Sequence, residues 1–180
     1  MTIDTSSELA STSKAGQRIE PAAALAVLRI VMGLVFLWAF ADKLFGLGLS
    51  TPQQKSWIHG GSPTAGYLGH LEGATAGLFA PMAGSLLVDL LFMLGLGALG
   101  VGLLLGIGLR ALSVAGTALM LLMWLSSLPL SNNPVIDEHI VYAAVLVVLA
   151  ATHAGDKWGF GQQWNAMLET KSPALARIFS

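Results

Sequence analysis

The chain has 180 residues, of which 54% are hydrophobic and only 11% charged, and its mean hydropathy of +0.71 lies far from a soluble protein's balance. Nine Lys and Arg against ten Asp and Glu give a net charge of −1 and no basic field for phosphates, which argues against nucleic acid as a partner. The absence of cysteine excludes disulfides, thiolate metal sites, iron–sulfur clusters and covalently attached haem. Any redox chemistry must use a bound or external cofactor.

Residues 1–20 are rich in Ser and Thr, carry mixed charge and lack an apolar period, as expected of a disordered tail. A first apolar span is predicted over residues 22–44, broken by Arg29, and is long enough at 1.5 Å per residue to cross a hydrocarbon core of about 30 Å. A stretch over 48–82 follows. It contains Trp57, His59, Tyr67, His70 and Phe79, with Ser62-Pro63 set as a helix cap and first-turn proline, so short helices are expected there. Further spans are predicted at 83–107, where glycines recur, at 110–130, and at 138–155, the shortest. Residues 158–180 read as an amphipathic interfacial tail anchored by Trp158, Phe160 and Trp164.

The expected architecture is thus all-α: an integral membrane four-helix bundle in a four-span domain over 21–157, with a partly helical outer loop and membrane lipid around it. Lys14, Arg18, Arg110, Lys157, Lys171 and Arg177 fall on the side of the termini, against Lys43 and Lys55 opposite, so both termini are expected in the cytoplasm.

Polar residues recur at helical spacing in each span: Arg29 and Lys43 in the first, Asp89 in the second, Ser113, Thr117 and Trp124 in the third, His139, Tyr142 and His153 in the fourth. A charge at the bilayer centre costs about 2.5 to 3.5 kcal/mol on insertion scales, so these faces should point inward. Arg29 is expected to reach Asp89, to meet carbonyls within the bundle, or to snorkel to the inner headgroups. Depth places Asp42, Lys43, Asp89, Trp124, Glu138, His139 and Tyr142 in the outer half. An acid, an imidazole, a phenol and aromatic walls there suit a quinone headgroup. His139, Glu138 and Asp89 are the candidate catalytic groups, and Trp124, Tyr142, Lys43 and Arg29 the candidate cofactor-binding ones. Each also has an ordinary structural reading: Asp137 or Glu138 at a helix start favours the positive dipole end, and Trp124 and Tyr142 suit plain packing. A haem held by two histidines is not expected, since His139 and His153 lie fourteen residues apart on one helix. No metal site is expected.

Arg29-Ile30-Val31-Met32-Gly33 followed by Asp42-Lys43-Leu44-Phe45, the glycine run from Gly95 to Gly106 ending at Arg110, and the series Asn133-Pro134, Asp137-Glu138-His139, Tyr142, Ala154-Gly155, Trp158-Gly159-Phe160-Gly161 and Trp164 together resemble the DoxX/DoxD family over residues 21–164. The Gly61-Ser62-Pro63-Thr64 loop leans toward the DoxD branch. The resemblance implies a small four-helix protein of a bacterial or archaeal cytoplasmic membrane. In the DoxD branch this is the membrane subunit of a thiosulfate:quinone oxidoreductase, which passes electrons to the quinone pool and needs a second, soluble subunit for the sulfur compound. A redox or respiratory protein partner is therefore expected. The rival expectation is a non-catalytic accessory or assembly subunit of a respiratory chain complex.

Overall fold

The structure is a computed structural model, and it describes residues 20–131, 133–172, 176, 177 and 179. The tail expected over residues 1–20 lies outside the described residues except for Glu20. Among the described residues the chain is helical without strands. Its helices are α1 (Pro21–Phe45), α2 (Ala65–Leu68), α3 (Ala76–Phe79), α4 (Leu86–Leu105), α5 (Leu109–Ser126), α6 (Glu138–Ala151) and α7 (Gly161–Lys171). Three of them, α1, α4 and α5, are long and apolar enough to cross a membrane. With 14 residues, α6 is about 21 Å long, shorter than the span expected at 138–155, because the backbone turns at Thr152 and enters a left-handed conformation at His153. The stretch over 48–82 is partly helical as expected, with α2, α3 and single turns at Gln53–Lys55, Trp57–His59 and Ala80–Met82.

Antiparallel α1 and α4 pack most closely where both carry glycine. A Cβ at Gly100 would lie 2.8 Å from the Leu37 backbone, and one at Gly33 would lie 3.0 Å from Leu104, so small residues set the crossing. Helices α5 and α6 form a second extensive pair; α4 touches α5 and α6 touches α1. Met32, Phe36, Leu96, Leu99, Met120 and Leu146 fill the common core. The outward faces stay apolar: Val31 and Leu34 on α1, Leu91 and Leu94 on α4, and Val114 and Leu122 on α5 are exposed. Such continuous apolar surface is what lipid, not water, solvates.

Arg29 is 0% exposed and forms no ion pair among the described residues. Its guanidinium has five N–H donors, and five backbone carbonyls receive them. Nε donates to Ala154 (3.0 Å), Nη1 to Leu103 and to Leu104 (2.9 Å), and Nη2 to Lys157 (3.2 Å) and Trp158 (2.9 Å). Leu103 and Leu104 lie in the last turn of α4, where carbonyls have acceptor capacity to spare and the dipole favours a cation, although Leu103 also accepts from the Gly106 N–H at 3.2 Å. The Phe160 N–H takes the Leu105 carbonyl at 2.8 Å. The bend after α6 comes this close because of glycine: a Cβ on Gly155 would sit 2.2 Å from the Gly106 carbonyl oxygen.

The carbonyl cage predicts that Arg29→Met removes a donor from five backbone acceptors, of which Leu103 keeps the Gly106 N–H, and costs at least about 3 kcal/mol, while Arg29→Lys, with three donors at most, costs less. Thermal unfolding in detergent reads both, and parent-like midpoints for the two variants would refute the cage.

Candidate functional site

At the other end of α4, the first-turn carboxylate Asp89 is 4% exposed and suits the positive end of the helix dipole. Its Oδ1 accepts from the Ser62 hydroxyl (2.9 Å), the Thr64 hydroxyl (2.5 Å) and the Thr64 N–H (3.2 Å). Ser62 Oγ in turn accepts from the Ala65 N–H at 3.0 Å, so one carboxylate ties the Ser62-Pro63-Thr64 turn and the start of α2 to α4. The expected Arg29–Asp89 pair does not form. Fourteen residues of α4, about 21 Å, separate Asp89 from the carbonyl of Leu103 that Arg29 holds. Nor does Lys43 form an ion pair with Asp89 among the described residues.

Under that pinned loop a cavity of about 310 Å³ opens between α4 and α5. Leu91, Phe92, Leu119, Leu122 and Met123 form its apolar body, and Lys43, Thr64, Tyr67 and Ser126 its polar end. Leu91 and Leu122 also lie on the outer surface, so the cavity opens sideways between the helices. The volume is at the lower end of the roughly 300 to 1,000 Å³ typical of small-molecule sites.

The Tyr67 hydroxyl lies 2.9 Å from Ser126 Oγ and 2.8 Å from Ser127 Oγ, and both serine hydroxyls donate back to the Met123 carbonyl. Three hydroxyl protons thus serve four close contacts, and rotation of the hydroxyls can pass a proton along the set. Ser126 faces the cavity, whereas Ser127 lines a polar cleft of about 330 Å³ with Asn133, Asp137, Glu138 and His139.

In that cleft Asp137 caps α6. Its Oδ1 accepts from the N–H groups of His139 (3.0 Å) and Ile140 (3.3 Å), and its Oδ2 lies 2.8 Å from His139 Nδ1. Burial pushes the Asp137 carboxyl up, but hydrogen bonds from the His139 ring and the two backbone N–H groups, with the nearby imidazole charge, outweigh it and hold the carboxyl below its ordinary range. The contact orients the imidazole with Nδ1 on the carboxylate and leaves Nε2 as its free nitrogen.

The residues expected to surround one headgroup are therefore distributed. Lys43 is at the cavity, and Asp89 anchors its wall through Thr64. Glu138 and His139 line the separate cleft. Trp124 donates from Nε1 to the Val135 carbonyl at 2.9 Å, and Tyr142 packs edge-on against Phe36, 6.2 Å between ring centres. Arg29 is at the opposite end. Sequence reasoning assigned no role to Ser126 or Ser127 and marked Tyr67 only as a loop aromatic; the serine pair closing the third span was the available signal. Among the described residues no cluster of three or more His, Asp or Glu side chains is placed to hold a metal ion. Comparison with protein families, with curated proteins and with solved structures finds no match to this chain.

Two outcomes follow at neutral and acid pH. Asp89→Ala should free the 62–64 turn, detected as faster proteolysis within residues 48–82, whereas Asp89→Asn, which keeps an acceptor oxygen, should protect it better; equal protection in all three proteins would overturn the pinning. Asp137→Ala should lower stability by about 1 kcal/mol at pH 7. Because the folded carboxyl titrates below its ordinary value of about 3.9, its contribution is complete above that pH and disappears as pH falls through the folded value. Parent and variant unfolding midpoints should therefore converge as the pH falls below the ordinary carboxylate range.

Proposed function

We propose that this chain is a DoxX-like, four-helix membrane subunit of a redox complex that binds a quinone in the lateral cavity between α4 and α5. The ring of neighbours from α1 through α4, α5 and α6 back to α1 supports a four-helix bundle, with exposed Val141, Val147 and Val148 giving α6 an apolar face of its own. Short α6 reaches across if its capping Asp137 and the Thr152–Ala154 bend lie in the interfaces. Arg110, Lys157, Lys171 and Arg177 share one end, which makes that end cytoplasmic and the loop end external.

The observation that carries the reading is the apolar cavity that opens to the side and ends at Lys43, Thr64, Tyr67 and Ser126, with the Tyr67 hydroxyl leading to the polar cleft. An apolar body with a few polar groups at one end suits a molecule with an isoprenoid tail and two carbonyls. Bound there, a quinone supplies a carrier for two electrons and two protons. Tyr67 and the Lys43 side chain would hold its carbonyl oxygens, and the apolar body would exclude water from them. The Ser126–Tyr67–Ser127 hydroxyls would carry protons toward the cleft that His139, oriented by Asp137, also lines, where its imidazole would exchange them with water. The residues that hold the headgroup thus differ from the set expected from sequence: His139 and Glu138 serve proton exchange, and Trp124 and Tyr142 support packing. A chain without cysteine takes its electrons from a protein partner.

Quinone-analogue affinity in nanodiscs tests this reading. Tyr67→Phe should weaken binding by about 1 to 3 kcal/mol, roughly five- to more than a hundredfold, and Leu119→Trp, which fills the cavity body, should abolish it. His139→Ala should bind like the parent, because His139 does not line the cavity. Undetectable binding by the parent, or equal affinity in parent and Tyr67→Phe, would remove the quinone and leave the accessory-subunit reading.

A further inference from the structure

At the end opposite the quinone cavity, a groove of about 590 Å³ runs between α5 and α6. Its floor is apolar and shallow, with Val114, Val147 and Ala150, and its rim carries two guanidinium groups, Arg110 and Arg177. Both arginines are exposed, and neither is in an ion pair among the described residues, where the ion pairs are His139–Asp137 and Lys157–Glu20. Arg110 occupies the first turn of α5, which contains no acidic residue and has Gly108 as a cap without a side-chain acceptor. A cation there opposes the helix dipole, so the local field lacks an anion. The position of Arg177 is not left to a free tail: the neighbouring Phe179 carbonyl accepts from Trp164 Nε1 of α7 at 2.9 Å, and Ala176 is buried.

From this we infer that the α5–α6 groove is a binding site for an anionic glycerophospholipid, with the phosphate held between Arg110 and Arg177 and one acyl chain laid over Val114 and Val147. Charge complementarity and the adjoining apolar trough fix the occupant. Two guanidinium forks match the oxygens of a phosphate group, while a soluble anion would leave the trough uncovered. Exposed Val114 lies one turn from Arg110 toward the middle of α5, so a chain hanging from the held phosphate follows the helix into the apolar region. The inference requires that the helices be embedded in a bilayer and is independent of any quinone. At a cytoplasmic end the site would face the leaflet whose surface attracts basic groups.

The full chain in detergent, incubated with equal amounts of dioleoyl phosphatidylglycerol and dioleoyl phosphatidylcholine, can be read by native mass spectrometry. The parent should retain the anionic lipid with about thirtyfold preference, and Arg110→Gln or Arg177→Gln should each remove roughly fivefold of it. Lys171→Gln, at the same end but outside the groove, should leave the preference unchanged, and Val114→Trp should reduce retention although both arginines remain. Raising the salt from 50 to 500 mM should shrink the parent's preference, a readout that needs no variant to fold. Equal retention of the two lipids by the parent, an undiminished preference in the double glutamine variant, or a preference indifferent to salt would overturn the site. So would inorganic phosphate alone raising the melting temperature as far as the lipid does, since the apolar trough would then contribute nothing.

Discussion

A guanidinium taken wholly out of water must recover its hydration, and the arrangement of the long helices follows from how Arg29 does so. Its five donors meet five carbonyls drawn from three places in the chain: the end of α4, the residue after the α6 bend, and the approach to α7. One side chain on α1 thereby fixes α4 and the segment beyond α6 at a single point, 74 to 129 residues away in sequence. No carboxylate is needed, because the carbonyls at a helix end already supply negative potential and unfilled acceptors. The close approach exists only because Gly106 and Gly155 meet backbone to backbone.

Asp89 obeys the same rule with the sign reversed. It stands in the first turn of α4, and Arg29 stands against the last, so the two charges complement the two ends of one helix dipole in place of each other. Separate satisfaction has a structural consequence that an ion pair across the centre would not have. Each charge is left to organise neutral partners around it: Arg29 gathers carbonyls at one end, and Asp89 gathers the hydroxyls of Ser62 and Thr64 at the other. The loop is thus held over the helices at the place where the cavity opens.

The helices and their inward faces were legible in the sequence, since apolar length and 3.6-residue spacing report burial directly. So was the inward direction of Arg29 and Asp89, because a lipid-facing charge is costly. Their partners were legible only in part: carbonyls stood among three alternatives for Arg29 with nothing in the sequence to choose between them, and the partners of Asp89 were not indicated. Backbone carbonyls have no side-chain signature, and Ser62 and Thr64 lie 27 and 25 residues from Asp89, beyond any periodic pattern. The cavity escaped for a similar reason: it is a gap whose apolar lining, such as Leu119 and Met123, looks in sequence like any core residue. Grouping Asp89, Trp124, His139 and Tyr142 by depth alone gave them a common layer but not a common wall, because depth along a helix says nothing of which neighbour a side chain faces. Asp137 was noted for the dipole, yet its grip on the His139 ring depends on a cap geometry that spacing does not specify.

The position of the cavity follows from how α4 and α5 are joined. The tight Gly106–Gly108 turn brings them together at one end, where a Cβ on Gly102 would lie 2.3 Å from Leu112 and one on Gly116 would lie 2.7 Å from Leu99. Toward the loop the small residues give out, the large side chains of Leu91, Phe92 and Leu122 take their place, and the helices no longer close on each other. Meanwhile α4 is committed to α1 and α5 to α6 by more extensive packing than either has with the other. The fold is therefore two firm pairs sharing a seam that is shut by glycine at one end and propped by bulk at the other. The opening between Leu91 and Leu122 thus lies on the seam and not within either pair, and the Asp89-held turn bounds it on the side of the loop.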